Sequence, residues 1–167
     1  MTLYEKEPRF GGHSHTVEVN GVTVDTGFIV FNKKTYPHLT ALFAHLDVPI
    51  QSTDMSFGVS LRDGELEYSG TNLAGLFAQR RNLLSLTFWR MLTELLRFYR
   101  SSKAWQATIT PSLTLRELLT QHRFGRRFID DHLIPMGAAI WSTPADKMLD
   151  YPALAFLRFC ENHGLLQ

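Results

Sequence analysis

The chain has 167 residues, 44% of them hydrophobic, and 17 basic side chains against 16 acidic ones leave a net charge of +1. That is the size of one domain or pieces of two, with twelve phenylalanines for a core and no basic excess to draw the chain to nucleic acid. The single cysteine, Cys160, excludes an intrachain disulfide and fits a reducing cytoplasm, no apolar run reaches the roughly 18 residues of a membrane span, and the N-terminus lacks the basic-then-apolar order of a signal peptide.

Thr2 to Tyr4 reads as a short apolar strand, and Glu5 to Ser14 as a turn built on adjacent glycines. His15–Val19 and Val22–Asp25 alternate around Asn20-Gly21, a strong short-range hairpin signal. Thr26 to Phe31 leaves as an extended apolar stretch. Tyr36 to Leu46 follows as a helix with Leu39, Leu42, Phe43 and Leu46 on one face. Met55–Leu61 and Leu66–Tyr68 form a second hairpin around Asp63-Gly64, predicted to belong to a different sheet.

From Leu73 the pattern is helical. Leu83 to Lys103 is the longest candidate, with Leu84, Phe88, Leu92, Leu95 and Tyr99 on an apolar face and Arg90, Glu94, Arg97 and Ser101 on the other. Two readings suit it: a core helix with a solvated back, or a helix lying on an anionic membrane. Thr114–His122, Arg126–Ile140 and Ala153–His163 complete the helices, and Pro135 should kink or split the second of these. Met136-Gly137-Ala138-Ala139-Ile140-Trp141 reads equally as a substrate-pocket lining or as a tight helix–helix contact.

The chemistry concentrates near the start. Glu5 follows a strand, and a carboxylate there can accept both hydroxyls of a nucleotide ribose. Gly11 and Gly12 lack Cβ atoms, so their backbone can approach a phosphate and take positive φ. His13 and His15 make a His-x-His pair, but no third ligand stands at a recognisable spacing, so no metal site is predicted. Cys160 and His163, three apart on a helix, read as packing residues.

Glu5-x-x-x-Arg9-x-Gly11-Gly12 resembles the second-strand motif of FAD-dependent amine oxidases and their relatives, and Asp25-Thr26-Gly27 resembles the Asp-x-Gly that follows it. The strings from Asp25 to Asn32 and from Pro135 to Ser142 resemble a bacterial branch of NAD/FAD-binding oxidoreductases. The resemblance implies an α+β or α/β fold. Residues 1–32 would be a remnant of a partial Rossmann-type FAD-binding sheet, and 33–167 a largely helical substrate-type domain carrying a small antiparallel hairpin.

It also implies roles. Glu5 would bind the adenosine ribose. Gly11 and Gly12 would lie on the pyrophosphate, with Arg9 either adding charge there or bracing the turn. Asp25, Thr26 and Gly27 would bring backbone near the flavin. His13 replaces the second arginine of the common motif, so a permanent cation becomes a titratable one. The glycine-rich phosphate loop of the family precedes none of this, so the sequence reads as a slice of a flavoenzyme.

The function implied is hydride transfer from an amine or an apolar, lipid-like substrate to FAD, with no acid–base residue assigned. The alternatives are a non-catalytic or split-enzyme fragment whose partner chain supplies the phosphate loop, and a peripheral lipid-binding module.

Overall fold

The computed structural model describes residues 2, 4–28, 30–53 and 56–165, which form two compact units, 1–50 and 51–167. In the first, β1 (His15–Val19) and β2 (Val22–Gly27) pair antiparallel. Asn20 (φ 54°) and Gly21 (φ 77°) supply the paired positive φ values that a two-residue hairpin turn requires. A register shift between His15 and Thr16 ends the regular ladder. Helix α1 (Pro37–His45) opens on a proline, whose missing N–H would be unpaired at that position in any case.

Phe31 packs edge-on against Tyr36 (6.5 Å) and Phe43 (5.3 Å), which keeps α1 with the first unit. The compact units divide after Ile50, whereas the resemblance divides the chain at 32/33. None of the described residues of the first unit is buried. A lone hairpin and one nine-residue helix offer too little surface to enclose a core.

No parallel strand pair occurs among the described residues. The two sheets are separate antiparallel hairpins. Of the expected strand Thr2–Tyr4, Leu3 lies outside the described residues, and Thr2 and Tyr4 belong to no strand. Ile29 of the extended stretch and Met55 at the start of the second hairpin also lie outside them.

The second unit holds the core. Strands β3 (Gly58–Leu61) and β4 (Leu66–Ser69) alternate so that Val59, Leu66 and Tyr68 point inward. Helix α2 (Leu73–Leu76) is capped by Asn72, and a short 3₁₀ turn spans Arg80–Leu84. Helix α3 (Leu86–Thr108) begins three residues later than its periodicity predicts, because the Ser85 hydroxyl caps Phe88 N–H.

Leu84 is therefore not on the core face; it lies in the 3₁₀ turn, 89% exposed. The buried face of α3 carries Phe88, Met91, Leu92, Phe98, Ser102 and Trp105. Glu94, expected on the solvated face, is buried too, and its carboxylate accepts Gly125 N–H at 3.0 Å, just before the helical segment that opens at Arg126.

Helix α4 (Leu115–Gln121) opens on a reciprocal Thr114–Glu117 capping box. Then α5 (Arg126–Phe128) runs through a π-helical turn, Ile129–Leu133, into α6 (Ile134–Trp141). Pro135 accounts for the irregularity. It has no N–H to offer the carbonyl of Asp131, four residues back, and its ring crowds that position.

Helices α7 (Ala145–Met148) and α8 (Ala153–Asn162) close the unit. Gly137 packs so tightly that a Cβ there would meet Met148 Sδ at 2.8 Å, and Trp141 lies against Tyr151, Phe156 and Phe159. The 136–141 segment is thus a helix–helix contact. Cys160 is wholly buried and burial pushes its thiol up to about 12, so it packs as an apolar side chain.

Phe98 is the hub of the core, with Trp105, Phe124, Phe128 and Phe156 rings 5.5–6.4 Å from its own. Phe98→Ala is expected to lower the unfolding free energy by about 3–5 kcal/mol, whereas Leu84→Ser should change it by less than about 0.5 kcal/mol. Urea denaturation measures both, and a comparable loss in the two variants would mean that Leu84 belongs to the core after all.

Candidate cofactor-binding site

In the first unit the glycine turn and the end of β2 are joined by backbone. Gly11 (φ 116°) and Gly12 (φ 57°) turn the chain, and Ser14 N–H donates to Gly11 O at 3.0 Å. Arg9 reaches across the turn. One of its terminal nitrogens donates to Ser14 O (2.9 Å) and the other to Gly12 O (2.7 Å). The guanidinium therefore braces the loop while keeping its charge beside it.

At β2 the reason for a glycine is closeness. A Cβ on Gly27 would sit 1.9 Å from His13 O, an impossible contact. Thr26 Oγ1 donates to His15 O (3.0 Å) and lies 3.0 Å from His15 Nδ1, and Thr16 Oγ1 donates to Asp25 Oδ1 at 2.6 Å. Arg9, Gly11, Gly12, His13, Asp25, Thr26 and Gly27 thus form one local cluster.

The three glycines differ in what demands them. At Gly11 a Cβ would meet Ser14 O at 2.9 Å, and at Gly27 the clash is worse. At Gly12 it would meet nothing within 4 Å. That bare backbone faces open space, so packing inside the chain does not require it. Glu5 stands apart from the cluster: Oε1 accepts Lys6 N–H (2.7 Å) and Glu7 N–H (2.9 Å), and no described contact ties it to the glycines.

A second polar site, which the periodicity of the sequence does not show, lies in the second unit around Asp131. The carboxylate is buried between two guanidiniums, Arg62 on Oδ1 (2.8 Å) and Arg127 on Oδ2 (2.8 Å). Burial pushes its pKa up, but the hydrogen bonds and charges of Arg62 and Arg127 outweigh that and hold it below the usual carboxylate range.

The carbonyl of Asp131, deprived of a helical partner by Pro135, accepts the Tyr68 hydroxyl at 2.9 Å. The same oxygen of Tyr68 lies 2.9 Å from His132 Nδ1. Its one proton is committed to the carbonyl, so Nδ1 must be the donor and His132 is the Nδ1–H tautomer. Its Nε2 is then a lone pair, buried and without a hydrogen-bond partner among the described residues. The proline four residues after an acidic residue was the one local signal for this cluster.

The model of the family described as flavin containing amine oxidoreductase matches residues 1–157. No individual curated protein matches the chain. A match over nearly the whole length shows that the chain belongs to the flavin-containing amine oxidoreductase family, whose cofactor is FAD.

Burial lowers His132 to about 4, against about 6.5 in an unfolded chain, so the native state keeps it neutral. Between those values the unfolded state binds the extra proton. The stabilisation is complete above pH 6.5, falls as the pH drops toward 4, and amounts to about 3 kcal/mol over the full window. Urea denaturation from pH 7 to pH 4 should show that loss in the parent and a shallower one in His132→Leu. Equal slopes in both would assign the acid sensitivity elsewhere.

Proposed function

We propose that this chain contributes the adenosine-diphosphate side of a FAD site to an oxidoreductase that takes hydride from an organic substrate. The observation that carries the reading is the Gly12 backbone: positive φ, no Cβ, and open space where a side chain would project. A pyrophosphate needs such an approach. Bound flavin supplies the two-electron acceptor.

The residues fit that group. Gly12 would lie against phosphate oxygens, with the Arg9 guanidinium a fixed positive charge on the same turn. His13 would add a cation only when protonated. Asp25, Thr26 and Gly27 would present the end of β2 to the flavin side, held by the Gly27–His13 contact. Glu5, exposed and with Oε2 in no described hydrogen bond, would accept a ribose hydroxyl.

The exposed apolar side chains of the first unit, Phe10, Val24 and Phe28 among them, also suit this reading. A sheet fragment of a larger cofactor-binding domain would bury them against neighbouring strands, and a partner segment bearing a phosphate loop is the neighbour it calls for. The substrate is an amine or an apolar, lipid-like molecule.

Glu5→Ala should weaken FAD binding by about 1–3 kcal/mol, read by titration of flavin fluorescence with the flavin-loaded protein as reference. Gly12→Ala should weaken binding; its Cβ meets nothing within 4 Å, but alanine at a φ of 57° is strained by about 1–2 kcal/mol, so the melting curve of the variant is recorded beside the titration. Gly27→Ala should instead perturb the hairpin itself. Undiminished FAD affinity in both Glu5→Ala and Gly12→Ala would remove the proposed site.

A further inference from the structure

The second unit contains a cavity of about 360 Å³ whose lining includes Arg62, Arg81, Arg127, Ser85 and Thr87. Three guanidiniums face two carboxylates there, Glu65 and Asp131. Arg62 and Arg127 share Asp131, and Arg62 also approaches Glu65 at 3.4 Å. Arg81 has only neutral acceptors among its described partners: the carbonyls of Gly64 (2.9 Å) and Glu65, and the Gln79 amide oxygen. The cavity therefore keeps a positive excess, with two hydroxyls at the mouth of a 23-residue helix.

A second, independent feature borders it. Residues 84–87 alternate: Ser85 and Thr87 line the cavity, while Leu84 and Leu86 are 89% and 85% exposed. Leu83 and Trp89 beside them are also exposed, with the Trp89 indole N–H donating to Leu83 O at 2.9 Å. Large aliphatic side chains held in water around a cationic pocket need a partner that is apolar and anionic at once. A phospholipid surface offers acyl chains beneath a layer of phosphates, and a half-exposed tryptophan suits the level between them.

We propose that the Leu83–Trp89 segment docks this chain peripherally on an anionic phospholipid membrane, with Leu84 and Leu86 entering the acyl boundary and a lipid phosphate taken up by the Arg81 cavity. The contact is interfacial: among the described residues, no helix is long and apolar enough to cross a bilayer. It lies at the entrance to α3 and not along that helix, two of whose arginines are engaged elsewhere. Arg90 lies 3.7 Å from Glu94, and Arg97 stacks 4.0 Å over the Phe124 ring and donates to His122 O. The inference stands on the second unit alone and does not depend on flavin binding by the first.

Sedimentation of the full chain with vesicles tests it. The chain should pellet with phosphatidylcholine–phosphatidylglycerol vesicles and remain in solution with phosphatidylcholine alone. Leu84→Ser/Leu86→Ser should reduce partitioning roughly tenfold or more, and Arg81→Gln roughly fivefold. The double variant replaces only exposed side chains, so an unchanged melting curve separates lost docking from lost fold. Failure to pellet, equal pelleting with both vesicles, or pelleting indifferent to the double variant would each overturn the proposal. So would displacement by millimolar inorganic phosphate with no effect of the leucine substitutions, which would make the cavity a site for a soluble anion. A lipid-free dimer abolished by Leu84→Ser/Leu86→Ser, without vesicle binding, would reassign the patch to self-association.

Discussion

Asp131 holds the second unit together through two different groups on one residue. Its carboxylate draws Arg62 from the β3–β4 turn and Arg127 from α5, and its carbonyl takes the Tyr68 hydroxyl from β4. A buried carboxylate is tolerable only if it is paired. A buried carbonyl facing a proline is tolerable only if something else donates to it. The hairpin answers both demands, which fixes its position on the helices more firmly than the apolar contacts of Val59 and Leu66 could alone. Arg62 and Asp63 hold positive φ in that turn, a backbone conformation that the Asp131 pairing helps to maintain.

The first unit is organised differently. It has hydrogen bonds and close backbone contacts but no buried core, so its geometry is set by the Gly27–His13 approach and the Arg9 brace. Such a unit is ordered locally and finished by what binds it. Family membership makes flavin the cofactor, and in the proposed site a bare positive-φ backbone and the Arg9 guanidinium share one turn. Bracing and charge supply are compatible roles for Arg9, since its two hydrogen bonds go to neutral carbonyls and leave its charge uncompensated by them.

What could be read from the sequence was local. Asn20-Gly21 and Asp63-Gly64 announce their hairpins because positive φ selects those residues. The adjacent glycines and Asp25-Thr26-Gly27 carry the family resemblance, and the family match supports the family. The face of α3 was legible only in part. A 3.6-residue pattern cannot tell that Ser85 caps the helix and expels Leu84, or that Glu94 turns inward to meet Gly125. The Asp131 cluster was invisible to periodicity because its partner Arg62 is 69 residues away. The reason for Gly27 was equally hidden, since only the folded hairpin brings His13 O against it.

The charges of the second unit behave as fixed quantities. Asp131, held below the usual carboxylate range, stays ionised near neutrality, and burial keeps His132 uncharged there. Tyr68, pushed up chiefly by burial, does not ionise in that range either. Arg62 and Arg127 are matched by Asp131 and Glu65, so the excess is the charge of Arg81, which varies little with modest changes of pH. A cavity so arranged can answer to salt, which screens its field, while remaining indifferent to small shifts of acidity. That distinguishes it from a histidine switch. It also explains how a pocket can be positive without a loose cluster of like charges: the buried aspartate fixes two of the arginines in place, and the carbonyls of the β3–β4 turn fix the third.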